Sequence, residues 1–243
     1  MKTRLLIVTL LISVITFGQS TRRSSLGLEL GASLPLSNYA SYDANLFNDS
    51  STSYPGFAKT GLIMRMVYEH RLTHNFGLQA DFMFGYNNVD QLALADSLST
   101  KTDADLNVTA TRPWNIGGIM VGPFIRIPFG ESFSFMMRGK IGGIGVYSPE
   151  YTVTGTSNVD QSDLEYYQYV NKSIAFAWSA GAGFQYRTEK YSFNLYGDYM
   201  GAKADFVDVT GQDWSATPPE ETKVSFRQEV KAVTITFGIS YIF

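Results

Sequence analysis

Cysteine is absent from the sequence. Disulfides, thiolate metal sites, cysteine nucleophiles and lipid anchoring on cysteine are therefore excluded. Excess charge of one sign is also missing: 19 basic and 22 acidic residues leave a formal net charge of −3. Such a chain has no global field to draw nucleic acid. Histidine occurs only twice, as His70 and His74. No Gly-x-Ser-x-Gly elbow, HExxH pair or phosphate loop is present, so no catalytic residue, cofactor or metal centre is expected. Beyond Phe17 no apolar run approaches the roughly 20 residues a membrane-spanning helix needs. If the rest of the chain enters a membrane, it must do so as a barrel.

What remains is apolar and aromatic. Hydrophobic residues make up 44% of the 243, with 17 Phe, 15 Tyr and 22 Gly. That is too apolar for disorder at so low a net charge, and the mixture favours strands over helices. The length allows one barrel-sized domain or two small ones. The N-terminus has the pattern of a secretory signal. Lys2 and Arg4 give a positive start, an apolar stretch runs from Leu5 to Phe17, and small or polar residues follow from Gly18 to Ser20. The expectation is a signal peptide over 1–18 and a barrel domain over 19–243. A buried N-terminal helix is the alternative.

Period-two runs predict strands near 25–37, 58–70, 76–87, 113–127, 132–147, 172–187, 191–201 and 228–243. Long connections (38–57, 88–112, 148–171, 202–227) alternate with short ones (71–75, 128–131, 188–190). This is the connectivity of an eight-stranded antiparallel up-and-down transmembrane β-barrel. Along the sixth strand Ile174, Phe176, Trp178, Phe184 and Tyr186 share one face, while Ser173, Ala175, Ala177, Ser179, Gly181 and Gly183 share the other. Phe133, Phe135 and Met137 oppose Ser134, Arg138 and Lys140 in the same way. Large aromatics suit lipid, and small or charged residues suit a narrow lumen.

The fourth strand breaks this rule. Trp114 and Ile116 lie on one parity, and Ile119, Val121, Ile125 and Ile127 on the other. If Trp114 faces lipid, one continuous parity puts Arg126 in lipid too, so a bulge at Gly117-Gly118 or a later strand start is predicted. Aromatic girdles are expected at both ends. Tyr86, Trp114, Tyr147 and Tyr199 would mark the outer one, and Tyr68, Phe76, Phe129, Tyr186, Tyr191 and Tyr241 the inner one. A soluble periplasmic β-protein is the rival at the level of fold.

The opening Leu26-Gly27-Leu28-Glu29-Leu30-Gly31-Ala32-Ser33-Leu34-Pro35 resembles the first strand of small outer-membrane barrels common in Bacteroidetes-type bacteria. These are the outer membrane β-barrel domain or PorT-like proteins. Gly122-Pro123-Phe124-Ile125-Arg126 and Arg138-Gly139-Lys140-Ile141-Gly142 are similar to that family's central hairpin. The closing Phe237, Ile239, Tyr241 and Phe243 resemble the signal read by the barrel-assembly machinery. The resemblance spans roughly 24–243 and implies a barrel in the outer membrane, in some members tied to secretion or gliding.

The predicted inward faces bring together Glu29, Arg65, Glu69, Asp81, Arg126, Arg138, Lys140, Arg187 and Asp198. Desolvated charges in so narrow a space must pair. They form an ion-pair plug or, alternatively, line a narrow polar path. Inward Ala175, Ala177, Gly181 and Gly183 leave room for a local cavity. The long connections hold most of the acidic residues, among them Asp43, Asp49, Asp103, Asp105 and Glu150. A solvated surface, association with divalent cations and a protein contact anchored by Tyr166, Tyr167 and Tyr169 are the readings weighed. Asp103-Ala104-Asp105-Leu106-Asn107 has the opening spacing of a calcium loop but lacks its Gly and its final Glu. The expected role is a structural anchor or interaction barrel in contact with outer-membrane lipid and, through its loops, an envelope protein. The alternative is a transporter or binding barrel for a small or hydrophobic solute.

Overall fold

A computed structural model describes residues 23–42, 54–213, 215 and 218–243. The signal pattern of 1–18 and the acidic Asp43 and Asp49 lie outside these residues. In chain order the elements are β1 (Ser24–Pro35), β2 (Ala58–Arg71), β3 (Phe76–Val89), α1 (Gln91–Thr102), β4 (Ala104–Arg112), β5 (Trp114–Phe129), β6 (Phe133–Tyr147), β7 (Glu150–Ser157), β8 (Asp163–Gln168), β9 (Lys172–Arg187), β10 (Tyr191–Asp213) and β11 (Glu220–Ile242). A short 3-10 turn covers Ser37–Tyr39.

β1, β2, β3, β5, β6, β9, β10 and β11 form a ring of eight antiparallel strands. β11 closes it by pairing with β1 on one side and β10 on the other. Closure leaves no sheet edge in the ring, so its backbone polar groups are satisfied within the wall. The strands at one end are joined by tight turns; the one after β5 uses Gly130 at φ +80, a conformation that favours glycine. Both termini of the ring lie at this inner end.

Alternation along each strand sorts the side chains. Leu28, Phe82, Phe176 and Phe237 point outward and are 55–66% exposed. The whole outer wall repeats this pattern, with Leu30, Met64, Ile119, Ile141 and Ile239 exposed as well. Water tolerates no contiguous apolar surface of this extent, whereas hydrocarbon does. This is a transmembrane barrel, and the aromatic residues expected at its inner rim are all exposed there.

β5 departs from expectation. Its register with β3 and β6 shows no bulge. Arg126 nevertheless faces inward and is buried, because Trp114 and Ile116 face inward on the same parity. Trp114 therefore belongs to no lipid girdle. It is 3% exposed and its Nε1 donates to the Gly56 carbonyl at 2.8 Å. An apolar interior in the outer half of the barrel removes the need for a bulge.

Above the ring the long connections fold. β10 pairs with β9 over Ser192–Ala202 and then, higher up, with β8 over Gly211–Asp213. β8 pairs with β7 and β7 with β4, so the barrel wall continues outward as a sheet. α1 packs on β4. Asp90 caps it, accepting from the Ala93 amide at 3.3 Å, and Asp103 ends it in a left-handed conformation. The calcium-like spacing at Asp103 thus straddles a helix end and a strand. Among the described residues no acidic or histidine cluster is arranged to hold a metal.

Candidate functional site

The lumen is layered. At its centre Arg138 donates to Glu29 from Nη1 and Nη2 (2.9 and 3.0 Å) and to Asp198 from Nε and Nη2 (2.8 and 2.6 Å). Arg65 donates to Asp198 at 2.7 Å and to Thr234 Oγ1 at 2.8 Å, and its Nη1 lies 3.5 Å from Glu29. Thr236 donates to Glu29 at 3.1 Å. Beside this cluster Lys140 pairs with Asp81, which also accepts from Gln79 Nε2. Strand parity brings these six charges inward from β1, β2, β3, β6 and β10. All are at most 4% exposed.

Apolar side chains bound the charged layer on both sides. On the inner side Tyr196, Phe124 and Met136 form a cluster, with the Arg138 guanidinium 3.6 Å from the Tyr196 ring centroid. On the outer side Ile63, Met83, Met120 and Met200 begin a larger core that continues into the cap, the structure formed by the long connections above the ring. The small inward residues serve this packing. A Cβ at Gly181 would lie 2.1 Å from Asp198 Oδ1, and one at Gly183 2.5 Å from the Tyr196 ring. Ala175 and Ala177 are buried in the core. The cavity expected at these four positions is filled by neighbouring side chains.

Three of the anticipated residues lie apart from the central cluster. Glu69 is buried nearer the inner end, where Ser25 donates to it at 3.3 Å. Arg126 donates to Ser134 Oγ at 2.7 Å. Arg187 is half-buried at the inner rim. His70 bonds Ser24 through Nδ1 at 2.9 Å, and His74 is exposed in the turn that follows β2. Phe237, Ile239, Tyr241 and Phe243 all lie exposed along the outer face, from the level of Glu29 down to the inner end of the wall.

The cap is ordered by aromatic and ionic contacts that strand reading alone did not reveal. Tyr39, Trp114, Phe206, Phe226 and Tyr54 follow one another with ring centroids 5.7, 6.0, 5.0 and 5.4 Å apart. At the base of β7, Glu150 accepts from Tyr167 and from Thr111 Oγ1 (3.1 Å) and pairs with Arg112 at 3.3 Å. The Tyr167 hydrogen bond, helped by Thr111 and Arg112, holds the Glu150 carboxyl below its ordinary range. Between α1, the segment at 54–57 and the upper part of β11 lies a cavity of about 320 Å³. The aromatic residues Phe206 and Phe226 inside the predicted connection 202–227 were the available signal.

No family model and no curated relative matches the sequence. Solved structures similar to this chain include the following three. Neisserial surface protein A has 10% identity and a TM-score of 0.44, covering 90% of this chain and 97% of that one. Ail, the attachment invasion locus protein of Yersinia pestis, solved with the heparin analogue sucrose octasulfate, has 13% identity and a TM-score of 0.47, covering 92% and 100%. A major outer membrane protein from Thermus thermophilus has 12% identity and a TM-score of 0.46, covering 90% and 99%.

Proposed function

We propose that the chain is an exported outer-membrane barrel serving as a non-conducting anchor, which holds a folded cap where an envelope partner can meet it. The observation that carries this reading is the sealed lumen. Conduction needs a continuous wet path, whereas here paired charges are sandwiched between apolar layers. The wall still has a second role to offer, because its extension presents α1, β4, β7 and β8 as one structure. Tyr169, 41% exposed on this extension, is a suitable contact residue.

The address rests on the apolar wall, the secretory pattern of 1–18 and the alternation of Phe237, Ile239, Tyr241 and Phe243. We read the last four as the segment offered to the barrel-assembly machinery. A place in a secretion-associated assembly, implied by the resemblance to PorT-like proteins, is one form of the anchor role. Two measurements test the reading. The protein reconstituted in a planar bilayer shows no conductance steps. A photo-crosslinker at Tyr169 in native cells captures one recurring envelope protein that a crosslinker at Leu28 does not. Stepwise conductance, or the same products from both positions, would overturn it.

A further inference from the structure

The cavity in the cap lies on the outer side of the sealed lumen. Its walls come from elements distant in sequence: Leu94 and Leu98 of α1, Trp114 of β5, Tyr151 of β7, and Val224 and Phe226 of β11. All six present apolar surface, and Leu94 and Trp114 are buried in the core beneath it. At about 320 Å³ the space falls within the range of small-molecule pockets, roughly 300–1,000 Å³. The anchor role gives it no task.

Polar atoms in the lining are mostly engaged. Trp114 Nε1 donates to the Gly56 carbonyl, and the Tyr151 hydroxyl donates to Gln168 Oε1, each at 2.8 Å. Gln228 differs. It lines the cavity and is completely buried. Its Nε2 donates to the Glu229 carbonyl at 3.1 Å, which fixes the amide orientation. Among the described residues its Oε1 has no hydrogen-bond partner. A buried carbonyl without a donor is costly, and this one borders an apolar space of ligand size. An apolar molecule bearing a donor would satisfy both features.

We infer that the cap cavity is a binding site for a small apolar molecule carrying a hydroxyl or amine hydrogen, which donates to Gln228 Oε1. The apolar walls supply affinity through burial, and the single acceptor selects among molecules of the same shape. Binding here needs no path through the barrel, so the outcome is separate from that of the conductance measurement.

The test is equilibrium dialysis of 2-naphthol and of naphthalene against the full protein in nanodiscs, with empty nanodiscs as the reference for lipid partitioning. The expected result is saturable one-to-one binding, about tenfold tighter for 2-naphthol than for naphthalene. Gln228→Met should bring 2-naphthol down to the affinity of naphthalene. Leu98→Trp should remove binding of both. Heat-dependent gel mobility shows whether each variant has kept its barrel, and if Gln228→Met has not, the comparison of the two probes in the unaltered protein decides. Uptake no greater than by empty nanodiscs overturns the inference. So do equal affinities for the two probes, or undiminished binding to folded Leu98→Trp.

Discussion

Arg138 has both its edge and its face engaged: Glu29 and Asp198 share the guanidinium hydrogens, and the Tyr196 ring lies against its plane. Removing it leaves two buried carboxylates with too little positive charge. Arg138→Met should lower stability by about 3–5 kcal/mol, measured as equilibrium unfolding in urea with lipid vesicles. Adding Glu29→Gln restores charge balance and should recover part of that loss; a double variant less stable than the single one would contradict the pairing. Gly181→Ala tests the same site by shape, since the added methyl would collide with Asp198 Oδ1. It should destabilise the barrel more than alanine at outward Gly197, where nothing lies within 4 Å. Strand parity placed most of these charges on inward faces. It did not say which would pair, because partners such as Arg138 and Glu29 meet across the barrel and not along the sheet. Trp114 was misplaced for a related reason: parity alone does not tell lipid from an apolar lumen.

The eight barrel strands were legible as elements because all but β5 carry period two over their membrane-spanning length, and the tight turns at 71–75, 128–131 and 188–190 cannot be confused with a continued strand. The cap was not. β4, β7 and β8 are short and carry no outward lipid-facing stripe, and β4 and β8 find partners only across connections, β4 on β7 and β8 on β10. β10 and β11 were cut short at 201 and 228, because above the membrane their outward faces become polar and the lipid signature ends. α1 exposes Leu92 at 76% and so lacks a clean apolar stripe; Asp90 as its cap was the readable mark. Asp90→Ala should therefore cost α1 about 0.5–2 kcal/mol, seen as faster amide exchange confined to 91–102. Acid provides a second test of the cap. The Glu150 carboxyl titrates below its ordinary range in the folded protein. Its stabilising contribution is thus present above the unfolded value and lost as pH falls through the folded one. Amides of β4, β7 and β8 should exchange faster at pH below the usual carboxylate range, and Glu150→Gln should flatten that dependence.

At the scale of the whole molecule the barrel is a wall whose two faces answer different solvents. Its outward face needs hydrocarbon, and its inward face needs enough internal partners to do without water. The change from charge at the centre to apolar packing at the outer mouth lets one continuous sheet serve as membrane span and as base of the cap. The lack of cysteine makes the central claim easy to examine, since single cysteines can be introduced and spin-labelled without background. With the protein in lipid bilayers, labels at Phe82, Phe135, Phe176 and Phe237 should be accessible to oxygen and shielded from a water-soluble nickel reagent. Labels immobilised and protected from both, or open to the nickel reagent, would show that these residues do not face lipid and would contradict the transmembrane barrel.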